Sequence, residues 1–170
     1  ITGSGVSITI SFSTTATSGN LTVYGTNTCG DGAVSPNFPI TVNTLPTAPV
    51  SSGNQVICAN QAIPALTVTV GTGQTADWYA AASGGSPLAT GTLSYLPAAA
   101  GTYYAEARNM AGGCLSTSRT AVTLTIHPLP VVYAGADQTI PNGTSTTISD
   151  ATASGTAPLL YSWTPASAFV

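Results

Sequence analysis

Few side chains in this sequence could perform acid–base or nucleophilic chemistry. The only histidine is His127, which lies between Ile126 and Pro128 in a proline-containing connector. An acyl-transfer site needs its base beside the nucleophile, so a solvated side chain is the simpler interpretation of His127. A glycosidase needs two carboxylates beside one bond. The five carboxylates of this chain are dispersed: Asp31, Asp77, Glu106, Asp137 and Asp150. The sequence therefore predicts no enzyme and no catalytic residue.

The same residues give no metal or cofactor site. One histidine and a pair of cysteines cannot assemble a zinc cluster, and no glycine-rich loop opens a helix to cradle a phosphate. Asp137, Asn142 and Asp150 could offer oxygens to Ca²⁺. Capping of turns by Asp and Asn explains these residues as well. We therefore predict no cofactor and no metal, with calcium at these three residues as the alternative.

Tyr79 and Tyr104 are the best candidates for contact with a ligand. Each follows a residue expected to point inward on its strand, Trp78 and Tyr103 respectively. If these two strands are neighbours in one sheet, the two outer rings lie side by side and face solvent. Such a pair could stack on sugar rings, or it could serve only to stabilise the sheet. Tyr79 and Tyr104 are therefore candidate glycan contacts.

Composition excludes several classes of partner. Only 4% of the residues are charged, whereas 43% are hydrophobic. With two basic residues, Arg108 and Arg119, the chain cannot form a basic stripe, so nucleic-acid binding is not expected. The apolar runs are far shorter than the roughly 20 residues needed to cross a bilayer, so membrane insertion is not expected. The chain opens on Ile1 without a signal-peptide pattern, which indicates an excerpt of a longer protein.

Alternation of apolar and polar residues predicts β-strands along the whole chain and no substantial helix. Between Asn54 and Ile126 the pattern predicts seven short strands separated by Gly- and Pro-rich turns, which is typical of a two-sheet sandwich. Two stretches with prolines, Asn43–Val50 and Ile126–Pro130, predict short stiff connectors. The predicted fold is all-β, with tandem sandwiches joined by these connectors.

Matching residues recur along the chain at a nearly constant spacing. Leu45 and Leu129 occupy equivalent places in the two connectors and are about 84 residues apart. Trp78 and Trp163 lie on strands of similar pattern at nearly the same separation. We therefore predict an internal repeat of about 84 residues, with Trp78 and Trp163 as equivalent core anchors.

The repeat predicts three parts of the chain. Gly101–Asn109 aligns with Gly19–Asn27 at nearly the same shift, with glycine on glycine and asparagine on asparagine. The first part therefore corresponds to the end of a module and the last part to its beginning. The predicted domains are the C-terminal half of a sandwich at residues 1–43, a complete sandwich at 51–126 and the N-terminal half of a third at 131–170.

Cys58 and Cys114 flank the complete module, with Trp78 between them and Tyr103 shortly before the second cysteine. In immunoglobulin-like sandwiches this order belongs to a disulfide between the sheets, a tryptophan packed beside it and a tyrosine corner. We therefore predict a Cys58–Cys114 bridge and a corner at Tyr103, and the bridge indicates an oxidising, extracellular setting. Two buried reduced thiols are the alternative. Cys29 is left without an assigned partner.

Several motifs resemble a known group of proteins. In the middle module they are Cys58, Asp77–Gly85, Pro87–Gly91, Gly101–Tyr104 and Gly112–Cys114. They resemble the bacterial Ig-like repeats of very large secreted and cell-surface proteins of Bacteroidota. The flanking stretches, Thr17–Gly30 and Ala134–Pro165, resemble the PKD-like modules found beside such repeats. The resemblance implies export by the type IX route and a role in adhesion, gliding or surface fibres.

These observations together predict a structural or adhesive segment of a long extracellular repeat protein, secreted or at the cell surface. Hardly any charge protects the sheet edges, so we expect adjacent repeats or neighbouring copies to be its partners. The alternative is a carbohydrate-binding or spacer region of a secreted polysaccharide-degrading enzyme, with surface glycans as ligands. Glycan binding through Tyr79 and Tyr104 would separate the two.

Overall fold

The computed structural model describes residue 5, residues 7–13 and residues 15–164. Within this part of the chain all regular structure is β, as the alternating pattern predicts. Because these residues form no helix, they include none long and apolar enough to cross a bilayer.

The strands fall into three groups along the chain. The first group is β1 (Gly19–Leu21), β2 (Thr26–Asn27), β3 (Gly30–Asp31) and β4 (Phe38–Ile40). The middle group is β5 (Val50–Ser51), β6 (Gln55–Cys58), β7 (Leu66–Thr69), β8 (Gln74–Tyr79), β9 (Ser94–Tyr95), β10 (Gly101–Asn109) and β11 (Thr120–His127). The last group is β12 (Val131–Tyr133) and β13 (Thr152–Ser154).

The middle group forms two sheets, with strand orders β6-β11-β10-β8 and β5-β7-β9. Only the β6–β11 pair is parallel, and the other pairs are antiparallel. This arrangement is an Ig-like sandwich. It differs from the seven predicted strands at two places. Val50–Ser51 forms an additional first strand, and Pro87–Thr90, which the alternation predicts as the fourth strand, contributes only an isolated bridge between Ala89 and Trp78.

Trp78 lies at the centre of the space between the two sheets. Its side chain is fully buried, its indole Nε1 donates a hydrogen bond to the Thr92 carbonyl at 3.1 Å, and its ring stacks on Tyr95 at 5.7 Å. The remaining buried core is aliphatic and comes from both sheets: Leu66, Val68, Ala76, Ala105, Val122 and Leu124. The interior is therefore held by apolar packing around one indole.

Tyr103 closes this core at one end. Its hydroxyl donates a hydrogen bond to the Ala99 carbonyl at 3.0 Å, four residues upstream. Its ring lies 5.1 Å from the ring of Tyr95. This is the geometry of a tyrosine corner.

The predicted bridge between Cys58 and Cys114 is wrong, because both cysteines are free thiols in the structure. The parallel register places Cys58 opposite His127, at the last residue of β11. Cys114 lies in the β10–β11 loop, where its carbonyl accepts a hydrogen bond from the Asn109 amide. The full length of β11 separates these positions, about 20 Å or more, whereas a disulfide needs Cα atoms within about 7 Å.

The error has a specific physical cause. A bridge between the sheets requires Cys58 to point into the core. Cys58 instead ends the edge strand β6, and the inward residues of the next strand, β7, are Leu66 and Val68. On the facing sheet, the position two residues after Tyr103 is where an immunoglobulin-like domain carries its second bridging cysteine. Here that position is Ala105, which is fully buried. Aliphatic side chains therefore occupy the place of the bridge.

The flanking segments repeat strand pairings of the sandwich, but none of their described residues is buried. Gly19 pairs with Ile40 in the β1–β4 hairpin, as Gly101 pairs with Leu124 in β10–β11. The β12–β13 pair is antiparallel, like β5–β7. Every buried residue of the described chain lies between positions 46 and 124.

Trp163 is 59% exposed and is not the core anchor that its match to Trp78 predicts. The physical reason is the lack of a second layer. The two-stranded sheet β12–β13 has no further strand paired to it among the described residues, and no second sheet in that part of the chain packs over the indole.

The different environments of the two tryptophans lead to a prediction for stability. Truncating Trp78 to alanine removes the largest buried side chain and should lower the free energy of unfolding by about 3–5 kcal/mol. The same change at the exposed Trp163 should alter it by less than about 0.5 kcal/mol. Urea unfolding followed by circular dichroism measures both. Equal losses for the two variants would contradict the packing described here.

The cysteine geometry leads to a second prediction. Replacing Cys58 or Cys114 by serine in this chain should change the free energy of unfolding by less than about 0.5 kcal/mol, and reductant should not destabilise the unmodified chain. A bridge that closed this loop would instead contribute roughly 4 kcal/mol. Thermal unfolding with and without dithiothreitol distinguishes the two cases, and a large fall in melting temperature on reduction would contradict the register.

Candidate functional site

The outer face of β8 and β10 carries the residues proposed from sequence for ligand contact. Tyr79 and Tyr104 are direct partners across these two antiparallel strands, and both alternate with inward residues. Their positions side by side therefore agree with the sequence expectation.

The exposed ring pair that was expected does not exist, because Tyr79 is covered. Its relative exposure is only 7%, and the Arg119 guanidinium carbon lies 3.3 Å from the centroid of its ring. A guanidinium stacked on an aromatic face is a favourable cation–π contact. A sugar cannot stack on the face of Tyr79 that Arg119 occupies, so the candidate glycan platform loses one of its two rings, whereas Tyr104 beside it is half-buried.

Two ion pairs lie on the same face of the sheet. Arg108 donates two hydrogen bonds to Asp77, from Nε to Oδ2 at 2.8 Å and from Nη2 to Oδ1 at 3.1 Å. Arg119 Nη2 lies 3.3 Å from Glu106 Oε2. The bidentate pair is the stronger of the two because both donors point along the carboxylate.

These charges make up most of the charge in the chain. The cluster of Asp77, Glu106, Arg108 and Arg119 contains both basic residues and two of the five acidic ones. Its net charge is zero, and each positive group lies against a negative one. Such a paired face has little attraction left for an ionic ligand.

Arg119 also fixes a loop. Its Nη1 donates hydrogen bonds to the carbonyls of Ala81 and Gly84, each at 2.8 Å. Gly84 and Gly85 both have positive φ angles, 64° and 74°, which glycine adopts at little cost. The side chain of Arg119 is only 8% exposed. One arginine therefore joins the turn after β8, the ring of Tyr79 and the carboxylate of Glu106.

The role of Arg119 and its partners was not predicted, although the sequence carries a signal for it. Glu106 lies opposite Asp77 on the neighbouring strand, and Arg119 immediately precedes Thr120, the partner of Ala105. The three charges thus form a row across three strands on one face. The alternation of outward residues on β8 and β10, combined with a β10–β11 hairpin, predicts this row.

Contacts on this face lower the pKa of Asp77 and raise the pKa values of Tyr79 and Arg108. Burial alone would raise the pKa of Asp77, but hydrogen bonds from Arg108 and from the Gly91 amide, together with the Arg108 charge, hold it below its ordinary value of 3.8. The pKa of Tyr79 is raised, first by burial and then by its hydrogen bond to Glu106. At neutral pH Asp77 is therefore ionised and the Tyr79 hydroxyl is protonated.

The other candidate residues lie apart from this face. His127 Nδ1 is 3.2 Å from Thr156 Oγ1. Asp150 accepts a hydrogen bond from the Ala136 amide at 2.9 Å, so it joins the stretch before β13 to the stretch after β12. In the part of the chain that the structure describes, no three residues of the types His, Cys, Asp and Glu are grouped to hold a metal ion.

A groove of about 300 Å³ lies in the last segment, between β12, β13 and the stretch after Leu159. Tyr133, Tyr161 and Trp163 contribute aromatic rings to its mainly apolar lining. All three are more than half exposed. The groove is the uncovered apolar face of a two-stranded sheet, and no acidic or basic side chain lines it.

The Asp77–Arg108 pair should make the domain sensitive to acid. Because the pKa of Asp77 is lower in the folded chain, its contribution is present above about pH 4 and is lost as the pH falls through the lowered value. Replacing Asp77 by asparagine should cost about 1.5–3 kcal/mol at neutral pH and less at about pH 2.

Urea unfolding measured from pH 2 to pH 7 tests this dependence. The exposed Asp31, replaced by asparagine in the same way, is the matched control and should leave the profile unchanged. A cost of Asp77→Asn that is the same at both ends of the range would contradict the assignment.

Comparison with known proteins agrees with the architecture of the middle group. Residues 46–128 match a family model described as "Ig-like domain CHU_C associated". No curated protein matches the chain. The matched range contains all seven strands of the sandwich and, among the residues that the structure describes, every buried one. Residues 46–128 are therefore an Ig-like domain.

Proposed function

We propose that this chain is a structural segment of a long extracellular repeat protein, in which stiff sandwiches and anchored connectors form a stalk or fibre. The observation that carries the proposal is the attachment of the first connector to the Ig-like domain. A spacer transmits force or sets a distance only if its joints resist bending, so the joints are the informative part of the chain.

The first connector is fixed at several points. Asn109 Nδ2 donates a hydrogen bond to the Thr44 carbonyl at 2.7 Å, and the Thr120 hydroxyl donates one to the Pro49 carbonyl. Pro46 and Pro49 are buried. Proline already restricts φ, and these contacts add to that restriction. The connector therefore belongs to the body of the domain.

Gly112 strengthens the same joint. It has a φ of 78°, and a side chain at this position would collide with the side chain of Asn43. The close approach of Asn43 thus requires glycine in the β10–β11 loop. At the second connector, Thr156 Oγ1 contacts His127 Nδ1 at 3.2 Å. Both ends of the domain are joined to the adjacent segments by specific contacts.

The pairing registers support a repeated module. Leu21 pairs with Phe38 in the first segment as Tyr103 pairs with Val122 in the domain. The offsets between these equivalent positions agree with the repeat of about 84 residues found in the sequence. Adjacent repeats are therefore the partners that we propose for the exposed faces of the flanking segments.

The surface chemistry favours a passive role. The charges of the domain are paired on one face, and the face of Tyr79 is occupied by Arg119. The family description and the resemblance to Bacteroidota surface repeats support an extracellular location. A non-catalytic structural or adhesive module is the function that these features support best, and the covered tyrosine removes the observation that favoured glycan binding.

Breaking the anchor of the connector should loosen the joint. Replacing Asn109 by alanine removes its hydrogen bond to Thr44, worth about 0.5–1.5 kcal/mol. The first segment should then sample more orientations relative to the domain, seen as smaller residual dipolar couplings for residues 15–43 and unchanged couplings for 51–126. Asn60, an exposed turn residue, replaced by alanine is the control and should change neither set. If residues 15–43 already tumble independently in the unmodified chain, the stalk proposal fails.

A further inference from the structure

We propose that Cys58 and Cys114 belong to disulfides between consecutive modules. In this scheme the thiol at the end of β6 in one module bonds the cysteine in the β10–β11 loop of the module that follows. The inference rests on the repeat architecture proposed above. It explains why two cysteines of one domain lie at opposite ends of a sheet with neither bonded to the other.

Cys114 lies where the first connector arrives. Its sulfur is 4.0 Å from the Gly112 carbonyl oxygen, so the thiol is on the Gly112 side of the loop. Gly112 in turn is packed against the side chain of Asn43. Asn109, at the start of the same loop, holds the Thr44 carbonyl. The thiol of Cys114 is therefore beside the residues that leave the preceding module.

Cys58 lies where the second connector departs. It is the register partner of His127, the last residue of β11. The Ala59 amide donates a hydrogen bond to the His127 carbonyl at 2.9 Å, which fixes the chain at this point. Cys58 is exposed, and Thr156 of the next segment contacts the ring of His127. The thiol of Cys58 is therefore beside the residues that enter the following module.

The equivalence of the two connectors brings these two positions together. Leu45 and Leu129 are one repeat apart, so Asn43 corresponds to His127. In a preceding module the counterpart of Cys58 would stand next to Asn43, about 4.8 Å away between neighbouring strands. Asn43 contacts Gly112, and Cys114 follows two residues later. Both cysteine positions therefore lie at the same joint between modules, where a disulfide requires their Cα atoms to be about 4.4–6.8 Å apart.

Cys29 fits the same scheme. It lies between β2 and β3, about one repeat before Cys114, and is exposed. It is therefore the loop cysteine of the first segment. In the third segment Pro141 and Asn142 stand near the position equivalent to Cys58. The joint between that segment and the module after it should therefore have no such bridge.

The bridge forms by thiol–disulfide exchange. The Cys58 thiolate attacks a disulfide of a dithiol oxidant, giving a mixed disulfide and one oxidant thiol. The loop thiolate of the next module then attacks the Cys58 sulfur and displaces the second oxidant thiol. The protein loses two protons and two electrons, and the oxidant disulfide becomes a dithiol. Exposure of Cys58 allows the first attack.

Disulfide mapping of the secreted protein with its neighbouring modules tests the proposal. Free thiols are alkylated before non-reducing digestion and mass spectrometry. We expect the Cys114 peptide to be linked to a cysteine about 84 residues before Cys58, and the Cys58 peptide to one about 84 residues after Cys114. Mixing isotopically light and heavy copies during oxidation distinguishes bridges within one chain from bridges to a second copy.

Single substitutions sharpen the result. In the Cys58→Ser protein, Cys114 should remain protected from alkylation, whereas a bridge within the module would free it completely. Cys29→Ser is the control and should change the alkylation of neither cysteine. A peptide linking Cys58 to Cys114, or full alkylation of both in the unmodified protein, would overturn the proposal. X-ray scattering from the same sample separates the two hypotheses: an extended particle with alkylated thiols disproves only the bridges, and a compact particle disproves the stalk.

Discussion

Packing against Trp78 is the interaction on which the rest of the domain depends. Its indole fills the space between the sheets, bonds the Thr92 carbonyl and stacks on Tyr95. A bridged sandwich limits the freedom of its unfolded chain with a covalent link, whereas this one relies on the burial of apolar area. Ala105 stands where the second bridging cysteine would be and is fully buried. The cysteines are thereby available at the two ends of the domain.

Because its surface has few charges, the domain arranges its sheet faces and sheet edges in specific ways. The outer face of β8 and β10 pairs each of its charges, so its net charge is zero. The sheet edges are protected without lysine: Gln61 Oε1 accepts the outward amide of Cys58 at 2.7 Å. On the other edge, Trp78 exchanges backbone hydrogen bonds with Leu88 and Ala89. These contacts occupy backbone groups at the two edges of the four-stranded sheet that could otherwise pair with another strand.

Local sequence patterns predicted the strands and the type of sandwich better than they predicted contacts between distant residues. Alternation along β8, β10 and β11 indicated the strands, and the order of Trp78 and Tyr103 indicated the type of sandwich. The bridge was mispredicted because sequence order does not reveal that β6 pairs with β11 at the edge of the sheet. The contact that covers Tyr79 was not predicted, because it requires Arg119 to reach the ring of Tyr79 from the other side of β10. Both errors concern pairings between distant parts of the chain, which periodicity within one strand cannot specify.

The central claim is that one apolar core between positions 46 and 124, without a disulfide, provides most of the stability of the chain. Native-state hydrogen exchange in the presence of reductant tests it most directly, because protection reports the free energy of opening segment by segment. We expect the amides of β8, β10 and β11 to be the most protected and those of residues 15–43 and 131–164 to exchange faster. Uniform protection along the chain, or loss of protection in β8 and β10 on reduction, would contradict the account.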